Sequence, residues 1–255
     1  MTQFSANLGF LWTDLPLPDA IRAAKAAGFD AVECHWPYAT DPALIKAALD
    51  ETGLPMLGLN TNRGDVSNGQ NGLSTLPDQV DDARAAIDQS VSYAVAIGAG
   101  AIHVMAGVTD AEGAHDTFVQ NLTYACAQAA RHQITILIEP LNPFDAPGYF
   151  LRTTVQAAKI IADVGTANLK LMFDCYHVAR TENDVLARLD AVYPLIGHIQ
   201  FASVPDRGRP DQGQLNYPSI FDRIAQLGWT APLGAEYKPG GSTEDTLGWM
   251  DAFRS

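Results

Sequence analysis

Residues 134–142 of the chain read ITILIEPLN, and this stretch decides the fold. Five mostly apolar, branched residues run directly into the carboxylate of Glu139, and Pro140 follows at once. Because apolar side chains occupy both alternating sets of positions, the run predicts a strand that is buried on both faces. A carboxylate at the end of such a strand needs a metal ion, a partner or water to offset its lost hydration.

The same pattern, an apolar strand that ends in an oxygen-bearing side chain, recurs three more times along the chain. It occurs in residues 169–174 (LKLMFD), 196–200 (IGHIQ) and 233–236 (LGAE), which end at Asp174, Gln200 and Glu236. Successive members are separated by about one strand–helix unit. The pattern therefore indicates neighbouring parallel strands joined by helices.

Strand and helix signals alternate eight times along the chain. Predicted helices include one closed by Gly28, one ending at Gly53, one from Pro77 to Gly98, one from about Thr181 to Tyr193 and a last one from Thr243. Eight such units predict a single (β/α)8 barrel, the TIM-barrel class of α/β fold, spanning residues 1–255. An open doubly wound sheet is the alternative, but the turn after the first strand lacks the glycine-rich phosphate signature. The predicted strands are 4–10, 30–34, 54–60, 101–105, 134–139, 169–174, 196–200 and 233–236.

Composition narrows the classes of partner. The formal charge of −13 disfavours a surface that follows the phosphates of nucleic acid. The chain has no apolar run long enough to span a membrane, and its first residues lack the features of a secretory signal. Three cysteines, Cys34, Cys126 and Cys175, show no metal-binding spacing, so we expect reduced thiols and a cytoplasmic protein.

The ends of strands five to eight would meet at one mouth of the barrel, where active sites of this fold lie. Three carboxylates gathered there repel one another, and a divalent cation removes that repulsion. Since Glu139, Asp174, Gln200 and Glu236 all offer oxygen, Mg²⁺ or Mn²⁺ is the expected ion. A lone carboxylate at a solvated strand end is ordinary, but four such side chains on consecutive strands favour a metal site.

Several other side chains fall near the predicted mouth. His177, three residues after Asp174, suits substrate binding. Arg207 and Lys238 offer positive charge to the carboxylate of an anionic substrate. Arg63 also lies in a mouth-side loop, but we interpret it as a solvated surface charge.

Further candidate residues lie on or after the predicted strands, and some of them have two interpretations. His198 shares the face of Gln200 and either supports it or is a hydrogen-bonded barrel histidine. Glu33 and His35 are candidate lining residues at the end of strand two. The sequence alone makes His103 a buried core histidine. Three aromatic residues that follow strands, Trp12, Trp36 and Phe144, either wall a pocket or serve ordinary packing.

Four segments carry a family resemblance when they occur in this order: EPLN at 139–142, DCYH at 174–177, GHIQ at 197–200 and EYKP at 236–239. With them the chain resembles the hydroxypyruvate isomerase family over nearly its whole length. That family belongs to the xylose isomerase-like barrels, which also include ketose 3-epimerases, inosose dehydratases and endonuclease IV.

The resemblance implies roles for individual residues. It implies a paired acid and base at Glu139 and Glu236, and substrate contacts from His177 and Arg207. Related epimerases commonly have histidine where this chain has Gln200, which favours the isomerase branch. The metal ligands implied are Glu139, Asp174, Gln200 and Glu236, and the further substrate-binding residues are Lys238, Asn7 and His103.

The implied reaction interconverts hydroxypyruvate, a small anionic hydroxy-keto acid, and tartronate semialdehyde by proton transfer through an enediol. A 2-oxo-tetronate isomerase shares nearly the same motifs and stays an alternative, as does a ketose epimerase. A polyol dehydratase and a non-catalytic sugar-binding barrel are weaker alternatives. A DNA-repair nuclease is disfavoured by the charge of −13 and by a total of six histidines. The sequence is compatible with a homo-oligomer and leaves the oligomeric state open.

Overall fold

Strands and helices alternate throughout the computed structural model, which describes residues 2–254. The predicted span of 1–255 extends beyond these residues by Met1 and Ser255. The strands are β1 Phe4–Asn7, β2 Ala31–Glu33, β3 Gly58–Asn60, β4 Ala101–His103, β5 Thr135–Ile138, β6 Leu169–Asp174, β7 Ile196–Phe201 and β8 Leu233–Ala235. The helices are α1 Leu17–Ala26, α2 Pro42–Thr52, α3 Val80–Ile97, α4 Ala114–Ala130, α5 Thr154–Val164, α6 Cys175–Thr181, α7 Val185–Val192, α8 Tyr217–Gln226 and α9 Trp249–Arg254.

The strands form one parallel eight-stranded sheet in the order β2-β1-β8-β7-β6-β5-β4-β3. Its two edge strands meet through a bridge between Val32 and Met56, where the Leu57 N–H donates to the Val32 carbonyl at 2.8 Å. The sheet thereby curls into a nearly closed barrel. The predicted TIM barrel is confirmed, and all strands direct their C-terminal ends to the same mouth.

Local signals in the sequence set several helix ends. Gly53 ends α2 with a φ of 69°, in the left-handed region that glycine adopts without strain. Thr153 caps α5, because its hydroxyl accepts a hydrogen bond from the Gln156 N–H at 3.1 Å. No helix within residues 2–254 combines the length and apolar character that a membrane crossing requires.

The segment after β6 differs from the prediction of one helix over about 181–193. Helix α6 instead begins directly at the strand end, because the Asp174 carboxylate accepts a hydrogen bond from the Tyr176 N–H at 2.8 Å. The helical conformation is interrupted at Asn183, where φ is 67°, and α7 follows with Asp184 as its N-cap. The strand and the helix therefore share Asp174, and His177 lies on a helix rather than in a loop.

Three further predicted elements are longer than those in the structure. Strand β1 ends at Asn7, because its carbonyl accepts hydrogen bonds from the N–H groups of Phe10 and Leu11 and turns the chain. Strand β3 is confined to Gly58–Asn60. A single 3₁₀ turn at Glu244–Thr246 precedes α9, so the last α-helix begins at Trp249 rather than at Thr243.

The apolar core lies mainly between the barrel and its helices, where Phe4, Phe201 and Trp249 pack edge to face. The interior of the barrel is more polar and holds Glu33 and His198, both buried. Gly234 leaves room for this pair, because a Cβ there would stand 2.4 Å from the Glu33 carboxylate. The barrel thus encloses ionisable groups beneath its mouth.

Candidate active site

Three buried oxygen atoms without hydrogen-bond partners lie at the mouth of the barrel. They are Oε1 of Glu139, Oδ2 of Asp174 and Oε1 of Gln200, and this holds for all partners within residues 2–254. Buried acceptors are normally satisfied, so an unsatisfied set from three adjacent strands indicates a ligand. A carboxylate oxygen of Glu139, one of Asp174 and a ring nitrogen of His177 lie within 4.8 Å of one another.

The oxygens of Asp174 and Gln200 are each aimed by a second contact of the same side chain. Asp174 caps α6 with Oδ1 and leaves Oδ2 facing the mouth. The Gln200 amide N–H donates to Oε1 of Glu33 at 3.3 Å, which leaves the amide oxygen free. These oxygens are therefore oriented by the fold. Such orientation favours ion binding, because little ordering is left to occur on binding.

His177 makes a contact that fixes its protonation state. Its Nδ1 accepts hydrogen bonds from the backbone N–H of Asn142 at 3.0 Å and from the Asn142 side chain at 2.8 Å. A backbone N–H can only donate, so in the neutral ring the proton is on Nε2. Burial and the charge of Arg207 lower the pKa of His177 to about 3, which keeps the ring neutral. His177 therefore presents an N–H donor at the mouth rather than a lone pair for a metal ion.

Glu236 lies just beyond β8 in a different environment from Glu139. Its Oε1 accepts a hydrogen bond from Asn7 at 3.0 Å and contacts Nε2 of His35 at 2.9 Å, while its Oε2 pairs with Arg207. Burial alone would raise the pKa of Glu236, but the charge of Arg207 and the His35 contact outweigh burial and lower it. Glu236 is thus held as a carboxylate by the protein itself.

The two other carboxyl groups show the opposite tendency. Burial, together with the charges of Glu236 and Asp174, raises the pKa of Glu139 well above its usual value. Burial raises the pKa of Asp174 to about 7, although the charge of Arg207 opposes this rise. Without a bound cation, the protein therefore disfavours the charged form of both groups. A bound cation would supply the missing compensation.

Arg207 is the cation at the centre of this cluster. Its guanidinium contacts Glu236 and lies 3.5 Å from Oδ2 of Asp174 and 3.8 Å from Oδ2 of Asp145. The rings of Phe10 and Tyr176 flank it at 4.6 and 5.1 Å. Arg207 lies at the mouth as predicted, but protein carboxylates surround it.

The remaining predicted side chains divide between the site and the surface. Asn7 and His103 end β1 and β4 inside the barrel, and burial lowers the pKa of His103 to about 3. Lys238 is exposed, and it contacts the site region through its backbone N–H, which donates to the Arg207 carbonyl at 2.7 Å. Its side chain does not line the pocket described next.

A pocket of about 160 Å³ opens at this mouth. It brings together residues that the sequence analysis treated separately, including Arg63, which we had interpreted as a surface charge. Two functional residues were missed: Asp145, which lines the pocket, and Asn142, which hydrogen-bonds to His177. Both follow β5, in a loop on the face of the barrel that carries active sites in this fold. The pocket is lined by Trp36, Arg63, Glu139, His177, Arg207 and Glu236, among others.

Of the three aromatic residues that the sequence analysis considered for the pocket wall, only one lines the pocket. Trp36 lines the pocket. Trp12 is buried and packs edge to face on Phe29, with ring centres 6.0 Å apart. Phe144 is 68% exposed beside Arg180.

Comparison with known proteins gives a family. A family model described as xylose isomerase-like TIM barrel matches residues 21–253. The chain is 41% identical over 257 residues to a 2-oxo-tetronate isomerase of Cupriavidus necator, with 99% of each protein covered. It is 36% identical over 258 residues to the hydroxypyruvate isomerase of Escherichia coli, with 100% of each covered.

Solved structures agree on the fold. A Brucella melitensis crystal structure titled AP endonuclease, family 2, superposes with a TM-score of 0.96 at 33% identity, over 100% of both chains. A D-allulose 3-epimerase from Methylomonas sp. superposes with a TM-score of 0.82, covering 99% of this chain and 96% of that one. Its identity of 20% establishes the likeness of fold alone. The chain therefore belongs to the xylose isomerase-like TIM barrel family, and it is an isomerase.

Proposed function

We propose that the protein interconverts hydroxypyruvate and tartronate semialdehyde with the help of Mg²⁺ or Mn²⁺. The observation that carries the proposal is the set of three unsatisfied oxygens, from Glu139, Asp174 and Gln200, at a mouth where Glu139 and Glu236 line one pocket. An enediol isomerisation needs an electrophile that stabilises the charge developing on the substrate oxygens, a task that a cation can perform, and a group that moves a proton between adjacent carbons. The mouth of this barrel holds side chains for both tasks.

The donor set fits a hard divalent cation. Glu139, Asp174 and Gln200 would hold it through oxygen, with Glu236 as the fourth candidate ligand. When bound, such an ion polarises the keto and hydroxyl oxygens of the substrate and stabilises negative charge that develops on them. Glu236 would have to share its carboxylate with Arg207, because the guanidinium already contacts it.

The proton transfer uses the paired carboxylates. In hydroxypyruvate, a hydroxymethyl carbon adjoins the keto carbon, which carries the carboxylate. One of Glu139 and Glu236 removes a proton from the hydroxymethyl carbon, and the electrons of that C–H bond form the enediolate. The other carboxyl group returns a proton to the former keto carbon. The hydroxyl proton of the first carbon passes to the former keto oxygen, so that the first carbon becomes the aldehyde and the second becomes the alcohol. Two groups serve because each changes between acid and base in the reverse direction.

His177 and Asn7 complete the proposed machinery. The Nε2–H of His177 is available to donate to a substrate oxygen, because Nδ1 is already engaged by Asn142. Asn7 donates to Glu236 at 3.0 Å and so orients that carboxylate toward the pocket. His103 adds a neutral ring to the pocket wall. These groups bind and orient the substrate, and the proton moves through the carboxylates.

A 2-oxo-tetronate is the second candidate substrate, favoured by the relative that is 41% identical. It carries a keto and a hydroxyl group on adjacent carbons next to a carboxylate, so the same residues would serve the same steps. Cleavage of DNA is not proposed, because the net charge is −13 and carboxylates crowd the pocket. The three buried, unpaired thiols fit a reducing compartment, so a cytoplasmic location is part of the proposal.

The deciding experiment incubates the Mg²⁺- or Mn²⁺-loaded protein with hydroxypyruvate, a 2-oxo-tetronate or a neutral ketohexose and follows each conversion by NMR. We expect isomerisation of hydroxypyruvate to tartronate semialdehyde. Faster conversion of the 2-oxo-tetronate would move the assignment to the second candidate. Epimerisation of the ketohexose, with no conversion of either acid, would overturn the proposal.

A further inference from the structure

Arg63 occupies a position that the proposed chemistry has not used. It belongs to the long loop after β3 and lines the same pocket as Glu139, His177 and Glu236. Its guanidinium carbon lies 3.8 Å from the centre of the Trp36 ring. The Trp36 indole N–H donates to the Thr61 carbonyl at 3.0 Å, so the aromatic platform is itself fixed. Stacking on an aromatic face leaves the N–H edges of a guanidinium available to other partners.

The two arginines of the pocket differ in charge compensation. Arg207 lies within 4 Å of carboxylates from Glu236, Asp174 and Asp145. None of the ion pairs found in residues 2–254 involves Arg63. An anion that enters a pocket rich in carboxylates needs a cation that is not already neutralised. Arg63 meets that requirement and Arg207 does not.

The loop that carries Arg63 is anchored rather than free. The Gly72 N–H donates to the Arg63 carbonyl at 2.9 Å. Gly72 has a φ of 113° and packs so closely that a Cβ there would lie 2.8 Å from the Met105 carbonyl. The Thr61 hydroxyl accepts a hydrogen bond from the Met105 N–H at 3.0 Å. These contacts hold the loop against the end of β4, so the Arg63 backbone is positioned before any substrate arrives.

We propose that Arg63 binds the carboxylate of the substrate and thereby selects hydroxy-keto acids over neutral ketoses. The proposal rests on the proposed function and adds the residue that recognises the acid. A planar guanidinium matches a carboxylate with two parallel hydrogen bonds, which a lysine ammonium does not reproduce. Arg207 thus compensates the charge of the protein's own carboxylates, while Arg63 binds the carboxylate of the substrate.

The test compares two substrates that differ in one group. Hydroxypyruvate and dihydroxyacetone share the hydroxymethyl ketone, but dihydroxyacetone has a second hydroxymethyl group in place of the carboxylate. In Arg63→Met, which keeps an apolar chain on Trp36, we expect kcat/KM for hydroxypyruvate to fall by about 100-fold, mainly through KM. The value for dihydroxyacetone should change by less than about threefold, and Arg63→Lys should give an intermediate loss.

Arg131→Met is the matched control, because it removes the same charged group from an exposed residue outside the pocket. Its kcat/KM for hydroxypyruvate should stay within about twofold of the unmutated protein. Calorimetric binding of glycerate, which keeps the carboxylate but has no keto group, gives a readout that needs no turnover. Arg63→Met should weaken this binding by at least about tenfold, and Arg131→Met should leave it unchanged.

Three outcomes would overturn the proposal: equal losses for both substrates in Arg63→Met, unchanged kinetics of that variant with hydroxypyruvate, or equal weakening of glycerate binding in Arg131→Met. A different result would be obtained if the proposed isomerase function itself were wrong. In that case the unmutated protein would not isomerise hydroxypyruvate, whereas its binding of glycerate would still depend on Arg63.

Discussion

The guanidinium of Arg207 is paired with the carboxylate of Glu236, across the mouth of a barrel whose interior carries several further acidic groups. The side chain of Arg207 is 11% exposed and that of Glu236 is 7% exposed, so water screens this pair weakly. The pairing keeps Glu236 ionised and partly offsets the charge of Asp174. It gives the two proposed proton-transfer residues different surroundings, because Oε1 of Glu139 has no hydrogen-bond partner among the described residues.

Removal of Arg207 should destabilise the protein. In Arg207→Met the carboxylates of Glu236 and Asp174 lose their shared cation while they stay buried. We expect the free energy of unfolding to fall by about 3 kcal/mol in metal-free buffer, as is usual when one partner of a buried ion pair is removed. Urea titration measures this change. Arg223→Met, which breaks an exposed pair with Asp190, is the control and should lose less than about 1 kcal/mol. Equal losses in the two variants would show that Arg207 does not compensate the cluster.

Removal of the metal should abolish activity. With excess EDTA we expect no turnover, and added Mg²⁺ or Mn²⁺ should restore it. Asp174→Asn should weaken metal binding by at least about tenfold in calorimetry. The pKa of Asp174 is about 7, so above that pH the folded protein holds a buried charge that the substitution removes. The same change should therefore raise metal-free stability by about 1 kcal/mol at about pH 8.

Asp174→Ala separates this charge effect from helix capping. Asparagine can still accept the hydrogen bond from the Tyr176 N–H, whereas alanine cannot. The alanine variant should therefore be less stable than the asparagine variant by about 1 kcal/mol. Full activity in excess chelator, or metal affinity that is unchanged in both variants, would contradict the metal site.

The carboxylate pair should control proton transfer. Glu139→Gln and Glu236→Gln each keep an oxygen but lose the acid–base group, so each should lower kcat by about 100-fold or more. In D₂O the product should carry deuterium on the carbon that was the ketone, because a proton held by a carboxyl group exchanges with solvent. Product without deuterium at that carbon, together with near-normal turnover in both variants, would rule out the assignment. Glu51→Gln, on the exposed face of α2, is the control and should turn over normally.

Glu33 should act through Gln200 rather than on the substrate. Its Oε1 accepts from the Gln200 amide at 3.3 Å, and its Oε2 contacts Nε2 of His198. In Glu33→Leu the amide is free to rotate, so we expect metal affinity to fall by about tenfold in calorimetry. This substitution also leaves His198 without its partner. His198→Phe is therefore the companion variant, because it removes the histidine from the same pair and keeps Glu33. Unchanged affinity in Glu33→Leu would mean that Gln200 needs no support.

The sequence by itself determined the barrel and the side chains at its mouth. A strand that is buried on both faces, followed by a helix and repeated eight times, leaves few arrangements other than a closed parallel barrel. Once that is given, the residues that end the strands must face one mouth. For this reason Glu139, Asp174, Gln200 and Glu236 could be named from spacing alone. Helix ends with clear local signals, such as Gly53 and Thr153, were also predictable.

The tertiary structure decided which atoms at the mouth have partners. Asn7 and Glu236 are 229 residues apart and hydrogen-bonded, a contact that no periodic pattern encodes. The positively charged side chains of the loops also could not be placed from the sequence. Arg63 and Lys238 both follow strand ends, yet Arg63 lines the pocket and Lys238 is exposed to solvent. Loops have no repeating geometry, so the direction of their side chains depends on long-range packing, such as the contact of Gly72 with the backbone at Met105. Periodicity fixes which residues reach the mouth, and only the folded chain fixes which of their charges stay uncompensated.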